Sequence, residues 1–241
     1  MTRYVTSDLH IGHERIIELC DRPFDNVAEM NEALVDGINS TLHPERDDLW
    51  IVGDICMGRM EDSLAVLGRI RCRRMVLIPG NHDRWSLAYH TKGDHATKRQ
   101  AWRMRYANAC VGVKELVYAM RDRQPSVWHV QFGGRSVSVS HYPWSGDSHG
   151  EDRYTELRPV EHTYPGLLIH GHVHTQWQTN GRQFNVGVDV NGFKPVSEHL
   201  VAEWGKAALL ETPPTEITVE GYLADSRRNV ENAMREMESD E

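Results

Sequence analysis

Four short apolar runs punctuate the chain: Tyr4-Val5-Thr6-Ser7, Leu49-Trp50-Ile51-Val52, Met75-Val76-Leu77-Ile78 and Leu167-Leu168-Ile169, each followed by polar residues and glycine. Runs of this length, bounded by turn formers, predict buried strands. Between the first three, apolar positions take a helical spacing. Val27, Met30, Leu34 and Ile38 follow the capping residue Asn26, and Leu64, Leu67 and Ile70 form a second stripe. Strand and helix alternating through residue 79 predict a parallel sheet with helices on its faces. Beyond residue 110 the pattern changes. Residues 111–117, 127–132 and 137–140 are expected strands, with Gly133-Gly134 as a hairpin turn between the last two. The long polar stretch 142–166, with prolines at 143, 159 and 165, is expected to be a lid or substrate-selecting segment. Pro213-Pro214 break the chain before a polar helix in which Leu223, Val230 and Met237 recur every seven residues, too few heptads for a coiled coil alone. The expected organisation is one domain over 1–210 and an acidic C-terminal tail or helix over 211–241.

Composition narrows the class. The chain has 241 residues, 39% hydrophobic and 26% charged, as in ordinary globular proteins. Its longest apolar runs are strand-length, far short of the roughly 20 residues that span a bilayer. The start of the chain shows no ordered basic region, apolar run and cleavage site, so the expected compartment is the cytoplasm. Cys20, Cys56, Cys72 and Cys110 form no C-x-x-C pair and read as free thiols. Of a net charge of -8, most comes from residues 211–241, with nine acidic and three basic side chains. The body is therefore nearly neutral, and acidity does not argue against a phosphate-bearing substrate. Basic clusters at 69–74 and 98–105 read as solvated faces in preference to a surface for long nucleic acid.

Histidine is the strongest chemical signal. Of fourteen, seven fall at the ends of predicted strands, at 10, 13, 82, 141, 170, 172 and 174. Ligands of open α/β sheets bind outside the carboxyl ends of strands, and Asp8, His10, Asp54, Asn81, His82, His141, His172 and His174 all sit there. Alternation along extended chain would point Asp8 and His10 the same way, and likewise His172 and His174. Imidazole and carboxylate together suit divalent manganese, iron, zinc or nickel. Eight such residues exceed one tetrahedral site. Two ions about 3.5–4 Å apart would use them and form the clamp that cleaves phosphate esters by in-line displacement.

Asp8-Leu9-His10, Gly53-Asp54, Gly80-Asn81-His82-Asp83, His141 and Gly171-His172-Val173-His174, in that order, resemble the calcineurin-like metallophosphoesterases. The resemblance implies a four-layer α/β/β/α sandwich with two packed mixed sheets flanked by helices. It implies that Asp8, His10 and His174 hold one metal and Asn81, His141 and His172 a second, with Asp54 bridging them. A bridging hydroxide would be the nucleophile. His82 would be the general acid, with Asp83 orienting it. Ser7–Asp8 through His13, Cys20-Asp21-Arg22-Pro23-Phe24 and Ser140-His141-Tyr142-Pro143 resemble small stand-alone bacterial and phage members, with His13 and Arg22 as candidate substrate contacts, against a structural packing role for His13 and a structural salt bridge for Arg22. The second motif continues Ile55-Cys56-Met57-Gly58-Arg59, unlike the Gly-Asp-x-x-Asp-Arg-Gly of the protein phosphatases, which disfavours that activity. The expected activity is a manganese-type binuclear phosphodiesterase on small nucleotide-derived diesters, such as 2′,3′-cyclic nucleotides, and on aryl diesters. A phosphomonoesterase or nuclease on the same centre is the alternative. A non-catalytic metal-bound interaction module, like the retromer subunit of the superfamily, is disfavoured by the presence of His82.

Overall fold

The computed structural model describes residues 1–89, 96–119, 127–160 and 166–211. The expected tail over 211–241 therefore lies, past its first residue, outside the described residues. Among the described residues ten strands form two sheets. The first has the order β10-β1-β2-β3-β4, built from β1 (Arg3–Thr6), β2 (Asp48–Val52), β3 (Arg74–Ile78), β4 (Glu115–Tyr118) and β10 (Val196–Ser197). Strands β1 to β4 are parallel, and β10 lies antiparallel on β1. The second sheet, β5-β6-β7-β9-β8, consists of β5 (Trp128–Phe132), β6 (Arg135–Val139), β7 (Leu168–His170), β8 (Thr179–Asn180) and β9 (Gln183–Asn185). It too is mixed: β6, β7 and β9 run parallel, with β5 and β8 antiparallel at the edges.

Side-chain alternation divides the core in two. Leu49, Ile51, Met75 and Leu77 face helices α2 (Val27–Thr41), α3 (Met60–Leu67) and α4 (Ala96–Ala109), meeting Leu34, Ile38, Leu64 and Tyr106. Val52, Val76 and Ile78 face the other way and pack with Phe132, Val137, Val139 and Ile169 between the sheets. Helix α5 (Glu198–Glu211) adds Val201 and Ala208 to that second cluster, with Trp204 against Phe184. The architecture is the expected sandwich of two mixed sheets flanked by helices. Asn26 caps α2 as the sequence predicts, its Oδ1 accepting from the Glu29 amide at 3.0 Å. Gly133 and Gly134, with φ of 53° and 80°, form the two-residue turn of the β5–β6 hairpin.

Some expectations differ. The strand expected at 111–117 begins only at Glu115, because Val111 and Gly112 are spent on the turn that leaves α4, and Val111 is 84% exposed. Ile70 is buried but lies beyond α3. Cys56, Cys72 and Cys110 are buried and Cys20 half-buried, all as free thiols. Among the described residues no helix is long and apolar enough to cross a membrane.

Candidate metal centre

The two sheets aim their strand ends at one place. Asp8 and His10 follow β1, Asp54 follows β2, Asn81 and His82 follow β3, His141 follows β6, and His172 and His174 follow β7. The predicted residues are thus brought together, but not by strand alternation. Asp8, His10, Asp54, His172 and His174 all have left-handed backbone, with φ of 56°, 49°, 54°, 74° and 48°. Such conformations are uncommon outside glycine and cluster at functional sites. Here the turns send backbone N–H groups inward. The Asp8 and His10 amides donate to the carbonyls of Gly53 and Asp54, and the His172 amide donates to the Asp8 carboxylate. Crowding fixes the adjacent glycines. A Cβ at Gly53 would strike the His141 ring, and one at Gly171 would strike the Asp8 carboxylate.

Asp54 lies at the middle of the cluster. Its Oδ2 is 3.7 Å from His10 Nε2 and 3.5 Å from His141 Nε2. Around the first group, Asp8 Oδ1 is 4.0 Å from His174 Nε2. Around the second, Asn81 Oδ1 is 3.1 Å from His141 Nε2 and 3.2 Å from His172 Nδ1. The carboxylate–imidazole separations are too long for hydrogen bonds. They match the spacing of atoms that each sit about 2.1 Å from a shared ion. His10 Nε2 is buried and has no hydrogen-bond partner, a costly state for a ring nitrogen unless a cation fills it. The donor set therefore fits divalent metal, with Asp8, His10, His174 and Asp54 on one side and Asp54, Asn81, His141 and His172 on the other.

The outer nitrogens of three rings are held by the protein, which frees the inner ones. His141 donates through Nδ1 to the Val52 carbonyl at 2.9 Å, and His174 donates through Nδ1 to Asp189 at 3.0 Å. His172 donates through Nε2 to Asp147 at 2.9 Å. Such outer partners set the tautomer and orient a metal-binding imidazole. The electrostatics follow the packing. Burial and the cations around it push His10 well below its ordinary value, and burial with His141 pushes His172 down to about 3. Both are thus neutral donors. At His174 burial is outweighed by Asp189, Cys20 and Asp8, which raise it. Asp189 and Asp147 are held below the usual carboxylate range despite burial, the former by His174 and Arg22, the latter by Arg153 and His172.

Two predicted residues have other neighbours than substrate or the His82 ring. Arg22 takes the structural alternative and does not line the cavity. Its guanidinium is fully buried, pairs with Asp189 through Nε at 2.8 Å, and donates to the carbonyls of Asp8 and Leu9. All its polar edges face the protein, because the Leu9 and Asp8 carbonyls need donors where the chain leaves the sheet. Asp83 does not orient the His82 ring. Its carboxylate accepts the amides of Gly80, Asp54 and Ile55 at 2.8 to 3.1 Å, so it shapes the loop that carries Asp54 and Asn81. His82 itself is where it was expected. Its amide donates to Asp54 Oδ1, and its side chain, 42% exposed, places Nε2 4.0 Å from Asp54 Oδ2. His13 stands beside it, half-exposed, with its ring 5.4 Å from that of His10. His170 is buried against Trp177 and belongs to the core.

The cluster floors a cavity of about 280 Å³. Ile16 and Leu19 of α1 (Arg15–Leu19) form one wall, and Ser148, His149 and Arg153 the other. Asp189 and Asp147 were missed by sequence reading. Asp189 carried a signal, an acid inside the apolar run Val186-Gly187-Val188-Asp189-Val190, which marks a buried partner. Asp147, in a polar loop, carried none.

The comparisons with known proteins agree with this geometry. Residues 1–176 match the family described as calcineurin-like phosphoesterase. The chain is 34% identical over 200 residues to the Gene 66 protein of Mycobacterium phage L5, covering 78% of this chain and 87% of the phage protein. It is 24% identical over 208 residues to an uncharacterised protein of Methanocaldococcus jannaschii, covering 83% and 89% of the two. In fold it is similar to a protein of unknown function from Aquifex aeolicus, with a TM-score of 0.55 and 23% identity over 84% of this chain and 98% of that one. With the donor cluster, the sheet topology and a match over most of its length in agreement, the chain belongs to the calcineurin-like phosphoesterase family, hydrolases that act on phosphate esters with divalent metal ions.

Proposed function

We propose that the chain is a binuclear phosphodiesterase acting on small nucleotide-derived diesters, 2′,3′-cyclic nucleotides among them, and on aryl diesters. The observation that carries this reading is the pair of donor groups on either side of Asp54, opening into one cavity. Two bound divalent ions would neutralise charge on the phosphoryl oxygens and lower the pKa of water. Manganese suits the mixed imidazole, carboxylate and amide donors, as do iron, zinc and nickel. Asp54 holds the two groups in register, since its Oδ2 lies between His10 Nε2 and His141 Nε2. His82 is the proton donor. As water oxygen bonds to phosphorus and the bond to the leaving oxygen breaks, the His82 imidazolium gives its proton to that oxygen. His13, beside it at the mouth, is placed to donate to a non-bridging oxygen. The cavity suits a mononucleotide-sized substrate better than a duplex, so a small diester is favoured over long nucleic acid. A cytoplasmic enzyme without a membrane partner is consistent with this chemistry.

The test is manganese-dependent hydrolysis of an aryl phosphodiester, its monoester, 2′,3′-cyclic AMP and an oligonucleotide by wild type and His82→Ala. We expect the diesters to turn over fastest and the variant to lose about 10²–10⁴-fold while keeping its metal. Faster monoester or oligonucleotide turnover would replace the substrate assignment, and an unimpaired variant would remove His82 as the acid.

A further inference from the structure

The polar connection after β6 is wound around one carboxylate. Asp147 is buried, with its side chain closed to solvent, and its two oxygens are divided between two tasks. Oδ1 accepts from Arg153 Nη2 at 2.7 Å and Nε at 3.0 Å, and from the His149 amide at 3.1 Å. Oδ2 accepts from the Arg153 amide at 3.1 Å and from His172 Nε2 at 2.9 Å, and Arg158 Nη2 lies 3.4 Å away. Arg158 is also buried, and it ties the ends of the segment by donating to the carbonyls of Gly146 and Arg153. The same carboxylate that builds the wall carrying Ser148, His149 and Arg153 thus reaches the ring at the floor.

We infer that Asp147 is a positioning residue for the metal centre: by accepting the Nε2 proton of His172 it fixes that ring with its Nδ1 lone pair aimed at Asn81 and the second metal position. Nothing else among the described residues accepts from His172 Nε2. Without Asp147 nothing among the described residues holds the proton on Nε2, and it can move to Nδ1, the atom that must be bare to bind metal. The inference rests on the reading of His172 as a metal ligand, and its consequence is specific. Of the two ions, the one held by Asn81, His141 and His172 depends on Asp147, and the one held by Asp8, His10 and His174 does not.

Two measurements test it. In metal-free wild type, long-range ¹H–¹⁵N spectra of the His172 imidazole should show the proton on Nε2, and a proton on Nδ1 would overturn the assignment whatever the protein does with metal. Removing Asp147 alone would strand the buried Arg158 cation, so Asp147→Ala is best made in an Arg158→Met background and compared with Arg158→Met alone. Titration with manganese alone, followed by calorimetry, should show one of two binding steps weakened about 10–100-fold in the double variant, with the other unchanged. Equal affinities in the two variants would overturn the proposal, as would Arg158→Met alone weakening the same step by the same factor. A wild type that binds fewer than two ions would instead sink the binuclear reading, and the tautomer would still decide the role of Asp147.

Discussion

His174 and His172 are two residues apart, share a left-handed backbone and each donate one ring proton to a buried aspartate, yet the two supports differ in kind. Asp189 behind His174 is locked to Arg22, which is in turn held by the backbone of Asp8 and Leu9, so this brace is part of the core. Asp147 behind His172 belongs to the connection after β6, fastened by its own arginines and lining the cavity. One half of the centre is as rigid as the sheet. The other depends on a segment that also lines the cavity, and such segments open more cheaply than cores.

The largest effect should come from breaking the core brace. Arg22→Met leaves Asp189 buried without its cation, and should cost about 3–5 kcal/mol of stability, a fall of about 2–4 °C in Tm for each kcal/mol. A variant within 1 kcal/mol of wild type by urea unfolding would show that the brace is not structural. The pH dependence of the metal-free protein should separate the two sides next. His172 is lowered to about 3, so its contribution is present above the unfolded histidine value and lost as pH falls from about 6.5. His174 is raised, so its contribution is fully present below about 6.5 and lost as pH rises through its folded value. His172→Asn should therefore flatten the acid limb of the stability profile and His174→Asn the alkaline limb, each by up to about 1.4 kcal/mol per pH unit. Identical profiles for the two variants would erase the contrast. The smallest effect is expected at Arg153→Met. This arginine is two-fifths exposed, and its ion pair is screened, so the stability change should stay below about 1 kcal/mol. The loss should appear as a several-fold rise in KM for the diester, and a fall in kcat alone would place Arg153 elsewhere in the cycle.

What the sequence disclosed follows the same division. Asp8, His10, Asp54, Asn81, His141, His172 and His174 could be found because ligand-type residues gathered at predicted strand ends, in one ordered set of motifs, have few other uses. The reason offered for their convergence was incomplete: extended chain would have set Asp8 beside His10 by alternation, whereas β1 ends at Thr6 and both residues lie in left-handed turns. Periodicity does not register single left-handed residues. The pairings of the supports were hidden for a different reason. Asp147, Asp189 and Arg22 act across 25, 15 and 167 residues of chain, and no local pattern encodes a partner at that distance. Strands β8 and β10, at two residues each, are too short to show any period. Helix α5 was legible in principle, since Val201, Trp204 and Ala208 recur at helical spacing.

The left-handed ligands have an evolutionary consequence. Each such side chain costs about 1–2 kcal/mol that glycine would not, so the backbone at Asp8, His10, Asp54, His172 and His174 favours the one residue that cannot bind metal. Selection for thermal stability alone would press these five positions toward glycine, opposed by the hydrogen bonds that the Asp8 and Asp54 carboxylates accept from the His172 and His82 amides. A library selected for metal retention should keep imidazole and carboxylate there, whereas one selected for stability alone should drift toward glycine first where the side chain holds the fewest partners.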